Sequence, residues 1–168
     1  MQKHFFLTKL QPTLLSFSML FFASNSLFAA DTSSEPPVFK SSSKPVAVSA
    51  LQAGRNAVQA KNWDKAITQF KQAVTQEPAN ADAYNMLAYS YRKQAKPDLA
   101  KAFENYNLAL KLDPKHKGAH EYIGEAYLMD KKPAEAEKHL ALLASICGNK
   151  TCEEYEDLAK AIAEYSKK

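Results

Sequence analysis

The chain has 168 residues, 46% of them hydrophobic and 24% charged, with two cysteines and a formal charge of +4. That length suits one domain. The charge is too weak for a nucleic-acid footprint, which would need Lys and Arg clustered on one face.

Residues 1–29 read as a secretory signal. Lys3, His4 and Lys9 make a basic start, Leu14 to Phe22 is mostly apolar, and Ser26-Leu27-Phe28-Ala29 offers a cleavage site after Ala29. The apolar run is interrupted by Ser16 and Ser18 and falls short of the roughly 20 residues that a span needs, so an uncleaved anchor is the weaker alternative. No cysteine near the cut is available to carry a lipid. The expectation is an exported chain, periplasmic or secreted, without a membrane span after cleavage. The segment holds two basic residues and no acidic one, so the charge falls to about +2 on maturation. Residues 30–45 combine Ser, Pro and charge without apolar periodicity and are expected to be a flexible leader. A docking role for Val38-Phe39 is the alternative reading of that stretch.

From Val46 the apolar residues follow helical spacing with short punctuation. A helix is predicted over Val48–Lys61, carrying Leu51, Gly54, Ala57 and Val58. The next runs from Trp63 to Gln76 with Ala66, Ile67, Phe70, Ala73 and Val74, and stops before Pro78. The pattern recurs twice. Tyr84, Leu87, Ala88 and Tyr91 are followed by Ala102, Tyr106, Ala109 and Pro114; His120, Ile123, Gly124 and Tyr127 are followed by Ala136, Leu140 and Leu143. A self-similar period of 34 to 36 residues means stacked helical hairpins.

The spacing also locates an irregularity. Gly54 to Ala88 is 34 residues and Ala88 to Gly124 is 36, whereas Ala66 to Ala102 is 36 and Ala102 to Ala136 is 34. Both series agree only if two extra residues lie between Ala88 and Ala102. The turn at Ala95-Lys96-Pro97 is the place expected, with Asp98 capping the next helix. Two residues inserted within a helix would rotate its apolar stripe by about 200°. Gly54, Ala88 and Gly124 are expected where the two helices of a hairpin approach closely, facing Ala66, Ala102 and Ala136. Phe70, Tyr106 and Leu140 are expected to fill the space between hairpins.

These residues resemble the tetratricopeptide repeat, whose signature places Trp, Leu-Gly and Tyr on the first helix and Ala, Phe and Pro on the second. The resemblance covers residues 46–146 as three repeats, about 47–80, 81–116 and 117–147, and the third departs from the pattern with Gly148 in place of the closing Pro. It implies an all-α, right-handed α-solenoid. It also implies a non-catalytic adaptor or scaffold that holds a protein or peptide partner against the first helix of each hairpin. By that resemblance the groove positions are Leu51, Arg55, Val58, Asn85, Tyr89, Arg92, Glu121, Glu125 and Leu128. Arg55 and Arg92 are expected to meet carboxylates and Tyr89 to anchor the partner. One subclass grips chaperone C-termini with a clamp of Lys, Arg and Asn. The corresponding places here hold Leu51, Arg55, Met86, Gly118 and Tyr122, so that specialised function is not implied. Self-association is left open.

A final helix over residues 151–166 is expected to cap the stack, since an array needs an end that faces water. Tyr155, Leu158, Ala159, Ile162 and Tyr165 form its stripe, and Thr151-Cys152-Glu153-Glu154 reads as a capping box. Cys147 and Cys152 flank a short loop and favour a disulfide in an exported chain. An accessory redox or enzyme component using that pair is the alternative function, and a metal site with His139 as third ligand is a remote one. No catalytic motif appears. His120-Glu121-Tyr122-Ile123-Gly124 imitates a zinc-protease start but has Gly124 where the second histidine belongs. Neither a cofactor nor a metal is expected.

Overall fold

The computed structural model describes residues 49–167; the signal and leader readings fall outside that range. Seven helices follow one another: α1 (Ala50–Gln59), α2 (Trp63–Gln76), α3 (Ala81–Lys93), α4 (Leu99–Leu112), α5 (Lys117–Met129), α6 (Pro133–Cys147) and α7 (Glu153–Tyr165). No helix among the described residues is long and apolar enough to cross a membrane.

Side-chain caps start most of them. Ser49, Asn62, Asn80, Asp98 and His116 each accept a hydrogen bond from the backbone N–H three residues on, which satisfies a donor that the first turn leaves open. Lys132 gives α6 no such bond; Pro133 begins that helix instead, with its fixed φ and no N–H to satisfy. The turns Ala60–Asn62 and Asp130–Lys132 share one geometry. Lys61 and Lys131 take positive φ, and Asn62 and Lys132 donate back to the carbonyls of Ala57 and Tyr127, closing the helix ends. Between α3 and α4 the link is Gln94–Asp98, two residues longer than those turns, and Asp98 donates to the Tyr91 carbonyl. The two extra residues inferred from the spacing lie there.

The helices pack as three antiparallel hairpins in sequence order. α1 touches α3 and α3 touches α5, whereas among the described residues α2 does not touch α4 and α4 does not touch α6. First helices are therefore crowded and second helices splayed. That curves the stack, with α1, α3 and α5 on its inner side. α7 packs on α5 and α6 as α3 packs on α1 and α2, so it takes the place of a fourth hairpin's first helix.

Small residues set the spacing and large ones fill it. Ala66, Ala88, Ala102 and Ala136 are fully buried, Ala73 and Tyr91 nearly so, and Phe70 and Tyr106 have no exposure at all. A Cβ on Gly54 would lie 2.5 Å from the Phe70 ring, which fixes the close approach of α1 and α2. Gly124 serves a different neighbour from the one expected. Its missing Cβ makes room for Leu158, 2.7 Å away on the capping helix, because α7 stacks directly on α5. Within the third hairpin Tyr127 and Leu140 are only half-buried, and Leu143, one turn after Leu140, is the fully buried residue.

The capping box does not form. α7 starts after Cys152, which gives no side-chain cap, while the Thr151 amide and hydroxyl both donate to Asn149 Oδ1. The cause is the Cys147–Cys152 disulfide, S–S 2.05 Å, which ties the last residue of α6 to the residue before α7. Gly148 turns the chain between them in the left-handed region at φ 70°. Replacing both cysteines with Ser is expected to lower stability by about 2 kcal/mol, the chain-entropy value for so short a loop, measured by urea unfolding. A much larger loss would show that the bridge also holds α7 against α5.

Candidate partner-binding groove

The inner wall carries an aromatic row. Trp63 at the start of α2, Tyr89 on α3 and Tyr122 on α5 follow one another with ring centroids 6.1 and 4.9 Å apart. Arg92, one turn after Tyr89 on the same helix face, lies 5.4 Å from the Tyr89 ring and 5.6 Å from the Tyr122 ring. Its Nη1 pairs with Glu125 at 2.5 Å and its Nε donates to the Tyr106 hydroxyl at 3.2 Å. Exposed Lys93 places its Nζ 5.8 Å from the centre of the Tyr89 ring.

The nine groove positions divide. Leu51 and Val58 are half-buried and pack against the core. Arg55 is half-exposed and pairs with Asp82 at 2.9 Å, and Asp82 also accepts from His116 Nε2 at 3.0 Å. His116 Nδ1 accepts the Ala119 N–H, so the His116 proton is on Nε2 and the network links α1, the start of α3 and the cap of α5. Asn85, Arg92, Glu121 and Leu128 are buried. The two arginines expected to meet partner carboxylates thus already hold Asp82 and Glu125. Tyr89 and Glu125 remain half-open to the groove. Leu128, with Met129 and Tyr165, lines a cleft of about 680 Å³ between α3, α5 and α7, whose polar rim is Arg92, Lys93, Glu125, Lys131 and Glu164.

Trp63 and the inner face of α7 adjoin the groove although sequence reasoning did not place them there, and Tyr122, read only as a clamp-equivalent position, stands in the aromatic row. Tyr122 precedes Glu125 by one helical turn, a spacing that puts both on one face. The metal reading has no support in this arrangement. Cys147 and Cys152 sulfurs lie near Glu154 but are bonded to each other, and His139 sits beside His120 instead.

The sequence profile of the tetratricopeptide repeat matches residues 51–116. The fold is similar to the TPR2B domain of yeast Sti1 in its pHsp70 complex, at 18% identity and TM-score 0.63, covering 70% of this chain and 94% of that one. Residues 51–116 thus match the tetratricopeptide repeat, and the described residues share the fold of such repeat domains. The repeats are similar also to the second TPR domain of human RPAP3 in complex with an HSP70 peptide, at 20% identity and TM-score 0.61, covering 73% of this chain and 96% of that one. A third similar structure is the Yersinia enterocolitica type III secretion translocator chaperone SycD, at 17% identity and TM-score 0.62, covering 70% and 81%. No curated relative matches the chain in sequence.

Buried Glu121 and half-buried His139 give the repeat domain opposed responses to pH. Burial, then the neighbouring carboxylates Glu125, Asp157 and Glu154, push Glu121 up to about 8 against the weaker pull of Arg92. Burial, then His120, holds His139 down to about 4, with Glu135 opposing and Lys138 adding a smaller push in the same direction. His120 Nε2 donates to the Pro114 carbonyl at 3.0 Å, and the Nδ1 atoms of His120 and His139 share a hydrogen bond at 2.9 Å. The proton that Glu121 keeps in the folded chain is lost from the unfolded chain above about pH 4.5, so its contribution to stability fades as pH rises towards about 8. His139 is protonated in the unfolded chain below about pH 6.5 but not in the folded one, so stability falls as pH drops towards about 4. Urea unfolding across this range is expected to show Glu121→Gln flattening the alkaline limb and His139→Gln flattening the acid limb. Unchanged slopes in either variant would contradict these assignments.

Proposed function

We propose that this protein is a non-catalytic adaptor, exported from the cell, that holds a segment of a partner protein along its inner wall. The observation that carries the reading is the row Trp63, Tyr89, Tyr122, a set of rigid amphipathic rings on the concave side of a curved helical stack. The RPAP3 and Sti1 structures with similar folds are complexes, with an HSP70 peptide and with pHsp70, which supports partner binding as the use of the groove here. Export draws its support from the signal-like residues 1–29 and from a disulfide suited to an oxidising compartment.

A photo-crosslinking residue placed at position 89 in cells is expected to trap partner protein, whereas the same residue at Leu108, exposed on α4, is not. The Tyr89→Ala, Tyr122→Ala double variant is expected to weaken the trapped partner's binding at least ten-fold, in the range of two lost aromatic anchors. Equal trapping at both positions, or unchanged affinity with an intact fold, would refute the groove. Mass spectrometry of the mature chain checks export, with Ala30 as its first residue.

A further inference from the structure

Resting on the groove reading above, we propose that the lengthened α3–α4 link builds a recognition site at the turn edge of the groove. The site takes an Asp or Glu side chain from within the partner's segment. Gln94–Asp98 has two residues more than the turns Ala60–Asn62 and Asp130–Lys132, although the shorter length suffices to close the other two hairpins. The longer link faces the α1–α2 turn, and between them lies a cleft of about 510 Å³ lined by Lys61, Trp63, Asp64, Gln94 and Lys96. Gln94 Nε2 donates to Asp64 Oδ1 at 3.2 Å across it, and the Asp98 N–H donates to the Tyr91 carbonyl at the far end of the link, so both rims are held.

The cleft is continuous with the inner wall. Trp63 belongs to it and to the aromatic row at once, 6.1 Å from Tyr89, so a segment lying on the row reaches the cleft without leaving the surface. Its volume is in the range of ligand pockets and admits a length of chain beyond the charged group, which makes the carboxylate a side chain's and not a terminus's. The places that correspond to the chaperone clamp, Leu51, Arg55, Met86, Gly118 and Tyr122, line no part of it.

Charge selects the occupant. Lys61 and Lys96 are exposed at the rim and, like Lys93 beside Tyr89, form no ion pair among the described residues. Asn62, Trp63 and Asp64 also bring the amino end of α2 to the cleft, where the helix pole is positive. Asp64 is the one carboxylate among the lining residues, and the Gln94 amide already occupies one of its oxygens. Two ammonium groups and a helix amino end against one carboxylate leave donors in surplus. The group that complements them accepts only, which describes a carboxylate. The indole of Trp63 offers an apolar wall to the methylenes that carry it. A basic side chain meets repulsion at the same place.

Trp63 is the only tryptophan of the chain, so its emission reports the cleft directly. The test titrates the mature chain with a nonapeptide of alternating Leu and Glu, blocked at both ends, and with a twin in which Gln replaces Glu. The Glu peptide is expected to shift the Trp63 emission and to bind about ten-fold tighter than its twin, the scale of one charge-assisted hydrogen bond. Lys61→Gln with Lys96→Gln should erase that preference, whereas Lys71→Gln with Lys111→Gln, which removes equal charge from exposed positions on α2 and α4, should leave it intact. Deleting Ala95 and Lys96, which returns the link to the length of the other turns, should erase it too with helix content unchanged; if the deletion unfolds the domain, the double lysine variant decides. Equal loss in both lysine pairs would overturn the proposal, as would a Gln peptide with a free C-terminus binding as tightly as the blocked Glu peptide. If Tyr89→Ala with Tyr122→Ala weakens both peptides alike while the Glu peptide is not preferred, the groove stands and this inference falls. If none of these variants alters any binding, both fall.

Discussion

Phe70→Ala lowers the unfolding free energy by about 3–5 kcal/mol, the range for deleting a large aromatic side chain from a packed core. Phe70 is fully buried between the two helices of the first hairpin and reaches the α3 residues Leu87, Ala88 and Tyr91 through one continuous core. The ring lies against the backbone of Gly54, so the cavity left behind is bounded by helices that cannot close further without moving. A loss of this size is a large fraction of the stability of a small domain. The reciprocal change, Gly54→Ala, places a methyl 2.5 Å from a stiff ring and is expected to cost about 1–3 kcal/mol by overpacking. The pair discriminates contact from coincidence. In the double variant Gly54→Ala, Phe70→Ala the methyl enters the space the ring has left, so the two costs should fall short of adding. Urea unfolding of the four proteins measures this, and strict additivity would show that Gly54 and Phe70 do not press on each other.

How far the sequence disclosed this molecule depended on the range of each interaction. Helix identity and hairpin order were legible because Ala66, Phe70 and their equivalents recur at a fixed period, and because a helical face is a local property. The two-residue insertion was legible for the same reason: the first-helix and second-helix series had to be reconciled, and only the Gln94–Asp98 link had slack. The start of α7 was misplaced because Thr151 met a local rule that the Cys147–Cys152 bridge overrides. The partner of Gly124 was misjudged because α7, which contributes Leu158, stacks where a fourth first helix would lie. Groove burial was least legible. Arg92 occupies a helix position that is often solvated, and it is buried here because Tyr89, Tyr106, Tyr122 and Glu125 from three helices close around it.

That enclosure makes Arg92→Ala the second large effect, an expected loss of about 3–5 kcal/mol. Arg92 is buried and Glu125 partly so, and removing the guanidinium strands two groups. Glu125 loses its counter-charge beside Glu121, and the hydroxyl of fully buried Tyr106 loses the Nε donor. Arg92→Lys should recover only part, because one ammonium cannot reach both the carboxylate and the hydroxyl with the fixed fork that the guanidinium supplies. By contrast, Arg92→Met with Glu125→Gln removes the charges together and should cost less than Arg92→Ala alone. A chemical readout separates an electrostatic role from simple filling. Arg92 is the cation that holds Glu121 down against its carboxylate neighbours, so Arg92→Met should move the Glu121 titration to still higher pH, followed by carboxyl chemical shift. An unmoved titration would mean that Arg92 only fills space. A shifted one would tie the buried pair to the charge state of the groove, since the same guanidinium braces three helices and sets how readily Glu121 gives up its proton.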